Sequence, residues 1–77
     1  MKNNLIYSLE KLLSAKNKVD RQKTKLSIIM NTAFLARPER VSEIKVLMDK
    51  VNSFITSPDE YNTANLIAIK ERINNKY

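Results

Sequence analysis

The chain has 77 residues, 14 Lys and Arg against 8 Asp and Glu, and no Gly, His or Cys. Those absences exclude imidazole and thiolate chemistry, ordinary zinc and haem ligand sets, disulfides and glycine-rich phosphate loops. A single domain over residues 1–77 is expected, with a core small enough to make self-association the natural additional staple, and its net charge of +6 favours acidic partners.

The first predicted element is long. From Asn3 to Arg37 there is neither Pro nor Gly. Leu5, Leu9, Leu12, Lys16, Val19, Lys23, Leu26, Met30 and Ala33 recur at alternating steps of four and three, which is a heptad. Ile6, Leu13, Ile29 and Phe34 widen the stripe. The spacing predicts one helix over about 3–36, roughly 50 Å long at about 1.5 Å per residue. A break near Ser14-Ala15-Lys16-Asn17 is the alternative, but no residue there forces a stop.

Arg37-Pro38-Glu39 marks a boundary. Pro38 disfavours helical geometry at Arg37 and suits the first position of a new helix. A second helix over about 38–55 carries Val41, Ile44, Leu47, Met48, Val51, Phe54 and Ile55 on one broad apolar face. In Thr56-Ser57-Pro58-Asp59-Glu60, Ser57 reads as an N-cap, Pro58 as the first helical residue and Glu60 as the third. A third helix over about 58–74 follows, with Tyr61, Ala64, Ile69 and Ile73 as its stripe and Leu66, Ile67 and Ala68 thickening it. The expected fold is all-α: a long N-terminal helix packed with two shorter helices, self-associating through the length that they leave uncovered.

Three surfaces are candidates for function. Lys16, Lys18, Arg21, Lys23 and Lys25 lie within ten residues, opposed only by Asp20, and form a possible phosphate-binding stripe. No aromatic stands among them to stack a base, and on a helix they spread around the axis, so a solvated midsection is the simpler reading. The segment Leu5, Ile6, Leu9, Leu12 and Leu13 is either plain core or a docking face for a partner or a second copy. Asn62, Asn65, Lys70, Arg72, Asn74 and Asn75 sit on the polar side of the third helix, where a helix-turn-helix protein would read bases.

Catalysis fits poorly. Glu39 and Glu43 stand one turn apart, as do Glu10 and Ser14, but paired carboxylates do acid–base work only in a pocket that shifts their pKa values. No catalytic residue, cofactor, metal ligand or small-molecule substrate is expected. The N-terminal residues are too interrupted for a signal peptide, and no stretch approaches the roughly 18–20 apolar residues of a membrane span, so a cytoplasmic protein is the expectation. Membrane-surface binding is disfavoured by the absence of Trp.

Two function classes remain. The first is a non-enzymatic protein-binding module, such as a regulator, an inhibitor or an immunity- or antiholin-type factor, docking through an apolar helix face. The second is a nucleic-acid-binding accessory protein using Lys16 to Lys25. In size and style the Lys- and Asn-rich chain resembles small helical regulators encoded by phages and plasmids, and no motif specific to any of them is present.

Overall fold

Four α-helices, rather than three, organise residues 2–77, the residues described by the computed structural model: α1 (Lys2–Ser14), α2 (Lys18–Asn31), α3 (Val41–Thr56) and α4 (Glu60–Lys76). The continuous first helix is therefore corrected to a helical hairpin. Size explains why. The molecule measures 33 × 21 × 17 Å, and a helix of roughly 50 Å would project far beyond anything the other two helices can cover.

The local device that makes the break is Asn17. Its backbone is extended (φ −145°, ψ 169°), and its Oδ1 accepts from the Asp20 amide at 2.9 Å. Its Nδ2 donates back to the Asp20 carboxylate at 3.2 Å. The first amides of a helix need such acceptors, and Asn is among the best N-caps. No stronger breaker is present, which is why heptad periodicity alone runs straight through this site.

The helices follow one another up, down, up and down, and α4 closes the ring against α1. Long-range contacts fix these directions. Asn31 at the end of α2 reaches Asn4 near the start of α1, Arg21 near the start of α2 reaches Ile55 at the end of α3, and Lys76 at the end of α4 reaches Glu43 at the start of α3. The α2–α3 contact is the thinnest of the four.

The core is shared unequally. Leu5, Leu9 and Leu12 of α1 are fully buried, as are Leu47 and Val51 of α3 and Leu66 of α4, with Phe54, Ile55, Ile69 and Ile73 nearly so. The short 3₁₀ turn Ala33–Leu35 adds Leu35. In contrast, α2 contributes Ile28 alone. Ser8 is the one buried polar residue among those described, and it is satisfied. Its hydroxyl donates to the Asn4 carbonyl at 2.9 Å and accepts from Asn31 Nδ2 at 2.8 Å. Buried polar groups need such partners.

The chain lacks Gly, the residue that most readily takes positive φ, and no described residue adopts a positive φ. The chain uses polar caps and 3₁₀ turns instead. At the end of α2 the Thr32 hydroxyl and amide both donate to the Ile29 carbonyl. Between α2 and α3, Arg37 is extended before Pro38, which opens a second 3₁₀ turn, Pro38–Arg40, leading into α3.

The α3–α4 corner corrects the capping expectation. Ser57 ends α3 through its amide, which donates to the Ser53 carbonyl at 2.9 Å. Asp59 is the N-cap of α4, its carboxylate accepting from the Asn62 amide at 2.8 Å. Asn62 Nδ2 then ties the corner to the Ser57 carbonyl at 2.7 Å. With α4 starting at Glu60, its inward stripe runs through Leu66, Ile69 and Ile73, and Tyr61 faces solvent instead of the core.

Candidate functional site

The apolar segment proposed as a docking face is used inside the chain. Leu5, Leu9 and Leu12 have no exposed surface, and Ile6 and Leu13 are half-buried against the same core. The residues expected to form a free face on α1 are therefore the centre of the fold, because α2 and α4 cover α1 from both sides.

The free apolar surface lies on α2. Val19 and Leu26 are each 64% exposed, Met30 77% and Ile29 46%. At about 100° per residue these four fall within a sector roughly 100° wide. Ile28, the only buried residue of α2, points to the opposite side. Half-buried Arg21, Thr24, Lys25 and Asn31 complete the inner face. The helix thus turns its continuous apolar face outward, while its inner face is polar apart from Ile28. The heptad that extends Leu5 and Leu12 to Val19 and Leu26 is real as a pattern, but the hairpin reverses the chain and turns its second half outward. Val19, Leu26, Ile29 and Met30, expected in the core stripe, lie on the surface.

Cations frame this stripe. Lys18 and Lys25 stand on one side and Lys23 on the other, with Gln22 between, and these residues with Val19, Leu26 and Ile29 line a shallow groove of about 710 Å³. Lys16 is exposed in the connection before α2. Arg21 leaves the basic cluster: its Nε donates to the Ile55 carbonyl at 3.3 Å and so caps the C-terminal turn of α3. Three of the five residues read as a phosphate stripe, Lys18, Lys23 and Lys25, therefore line the groove, and an apolar seam runs between them.

Two of the six α4 candidates, Asn62 and Lys70, hold the fold together through their side chains. On α4, Asn62 belongs to the corner and Lys70 pairs with Glu10 of α1 at 3.7 Å. Glu43 does not pair with Glu39. It joins α3 to the end of α4, accepting from the Lys76 ammonium and from the Tyr77 hydroxyl, the latter at 2.7 Å. Those two hydrogen bonds hold the Glu43 carboxyl below its ordinary 4.5. The same contact raises Lys76 above 10.5 and Tyr77 above 10.0, since each donates to the carboxylate only while protonated. No helix among the described residues is long and apolar enough to cross a membrane. Compared with known proteins, the chain matches no family model, no curated protein and no solved structure.

Proposed function

We propose that this chain is a protein-docking module and that the outward face of α2 is the surface it offers to an acidic amphipathic helix of another protein. The observation that carries the reading is the exposed seam of Val19, Leu26, Ile29 and Met30 between lysines. The residues at positions 19, 26, 29 and 30 have the spacing by which one helix engages another. Monomeric proteins rarely leave such a stripe uncovered.

Magnitudes favour an acidic partner. Fully burying a side chain of this kind is worth about 1.5–3 kcal/mol, so covering what these four still expose is worth about 4–7 kcal/mol gross. Loss of translational and rotational freedom on association costs about 4–15 kcal/mol, which offsets most or all of that gain, so the seam alone gives weak binding at best. Carboxylates placed against Lys16, Lys18, Lys23 and Lys25 supply steering and orientation. The same lysines argue against a symmetric pair of α2 faces, which would set like charges opposite one another with only Asp20 to offset them. A phosphate backbone would satisfy the lysines and leave the apolar seam against a charged, hydrated surface.

The test measures three probes against the full chain by fluorescence anisotropy: a Glu/Leu amphipathic helical peptide, duplex DNA and anionic phosphatidylglycerol vesicles. The expected result is that the peptide binds, that the uncharged Leu26→Gln sharply weakens this binding, and that salt weakens it only modestly. DNA binding indifferent to Leu26→Gln and falling steeply and log-linearly with salt would replace this reading with the nucleic-acid one. Binding confined to vesicles would replace it with a membrane-surface one.

A further inference from the structure

A second site lies at one end of the bundle and shares no residue with the α2 groove. There α1 begins, α4 ends, and the connection from α2 to α3 crosses between them. The three segments enclose an open cleft of about 630 Å³. Its rim carries four cationic side chains, Lys2, Arg37, Arg40 and Lys76, and no Asp or Glu side chain lines it. Glu43, just outside, pairs with Lys76 and accepts from Tyr77, and Glu39 is exposed on the Pro38–Arg40 turn, so the four cations still outnumber the two nearby carboxylate side chains.

Three of the four cations have a structural role. Lys2 donates to the Asn74 carbonyl at 3.2 Å, complementing the negative end of α4. Lys76 holds Glu43. Arg40 donates to the Phe34 carbonyl at 3.0 Å and lies over the Tyr77 ring, 4.6 Å from its centroid. Arg37 has no such role. It is exposed, and among the described residues its guanidinium has no hydrogen-bond or ion-pair partner. The backbone nevertheless fixes its position, because it is extended and is followed by Pro38, and its carbonyl accepts from the Arg40 amide at 2.9 Å. The two guanidiniums thus flank one 3₁₀ turn. The stacking of Arg40 on Tyr77 orients its fork and leaves further N–H donors free.

Beneath the Arg40 guanidinium lies the Tyr77 ring, part of an aromatic surface that lines the cleft. Phe34 and Tyr77 meet edge to face, with centroids 5.9 Å apart. A fork of guanidinium donors selects planar or tetrahedral oxyanions, and an aromatic floor selects an apolar body attached to them. We propose that this cleft binds a small phosphomonoester, with the phosphate between Arg37 and Arg40 and an aromatic or apolar body against Phe34 and Tyr77.

The experiment titrates phenyl phosphate, inorganic phosphate and phenol into the full chain at constant ionic strength. Binding is followed by NMR at the Arg side-chain Nε–H groups and the Phe34 and Tyr77 rings. The expected result is saturable binding of phenyl phosphate, tighter than that of inorganic phosphate, with phenol not binding. Arg37→Gln is expected to weaken phenyl phosphate about tenfold or more, the loss of one charge-assisted hydrogen bond. The Arg37 side chain makes no contact that the fold needs, and its backbone contacts are kept by Gln, so this variant folds. Lys18→Gln on α2 removes the same charge from the other surface and is expected to leave the affinity unchanged. Equal weakening by Arg37→Gln and Lys18→Gln would show nonspecific attraction to net charge and overturn the proposal. So would inorganic phosphate binding as tightly as phenyl phosphate, or shifts spread over the lysines of α2.

Discussion

Replacing Asn17 with Ala tests why the first half of this chain is two helices. The substitution removes the acceptor for the Asp20 amide and the donor to the Asp20 carboxylate. Loss of an Asn N-cap costs about 0.5–2 kcal/mol, and the exposed second bond adds a few tenths, so about 1–2 kcal/mol is expected. For a chain of this size each kcal/mol lowers Tm by roughly 4–8 °C. Ala also raises helix propensity across the break, which pulls toward the continuous helix that the heptad encodes. Packing opposes that pull, because straightening would strip α2 and its Ile28 from the fully buried Leu5, Leu9 and Leu12.

The expected variant is therefore a less stable four-helix protein of unchanged helicity. Asn17→Asp supplies the control. Its carboxylate can still cap and gains from the helix dipole, while it faces Asp20, so most of the lost stability should return. The assay is thermal unfolding followed by far-ultraviolet circular dichroism. Equal Tm values for Asn17→Ala, Asn17→Asp and the wild type would refute capping as the cause of the break. A rise in helicity with Asn17→Ala would refute the priority given to packing.

Three other outcomes are expected. At the α3–α4 corner, Asp59→Ala should destabilise by about 0.5–2 kcal/mol in chemical denaturation, whereas Ser57→Ala should be close to neutral because the Ser57 contacts are made by its backbone. The Glu43 contact should stabilise only within a pH window. Its carboxyl is depressed below 4.5, so its contribution is present above that value and is lost as pH falls through the lower folded value. Lys76 and Tyr77 are raised, so theirs is present below 10.0 and is lost as pH rises through the folded values. The stability difference between wild type and Glu43→Gln should accordingly be widest between these limits and shrink outside them. The Tyr77 ring, followed by NMR, should titrate at lower pH in that variant, since the Glu43 contact that raises it is gone and the nearby Lys76 and Arg40 cations favour the phenolate. Finally, Asn31→Ala should cost about 0.5–1.5 kcal/mol, since it removes the bond from α2 to the buried Ser8 hydroxyl while Ser8 keeps its own acceptor in Asn4.

The all-α class was legible because periodicity and the two prolines delimit helical segments and no alternating pattern competes. The α3 stripe was nearly complete in the sequence, since Leu47, Val51, Phe54 and Ile55 are all buried. Periodicity says which residues share a face, but not whether the chain between two halves of that face reverses. For residues 3–36 that distinction rests on one Asn cap and on what the rest of the molecule can cover. The α4 cap was displaced by two residues for a similar reason: Ser57 and Asp59 are both good caps, and the end of α3 occupies Ser57. Nothing in the spacing announced the cleft of Arg37 and Arg40, which depends on bringing the ends of α1 and α4 beside the α2–α3 connection. Its one visible trace is the sequence Arg37-Pro38-Glu39-Arg40, whose proline fixes the first arginine in extended backbone.

The hairpin and the exposed seam are consequences of one another. A heptad sustained from Leu5 to Met30 supplies apolar residues for a continuous helix, and folding half of it back leaves a second apolar line with no partner inside the chain. A sequence selected only for this four-helix ring would place polar residues at Val19, Leu26, Ile29 and Met30, at no cost to a core that takes only Ile28 from α2. Their presence separates stability from recognition in this helix. Single polar substitutions at Leu26 or Met30 should leave unfolding unchanged within about 0.5 kcal/mol, the usual range for exposed positions. The same substitutions should remove the docking of an acidic helix. If Leu26→Gln instead lowered stability by several kcal/mol, the outward face would be part of the core of a larger assembly of this chain, and α2 would be an internal contact rather than an offered one.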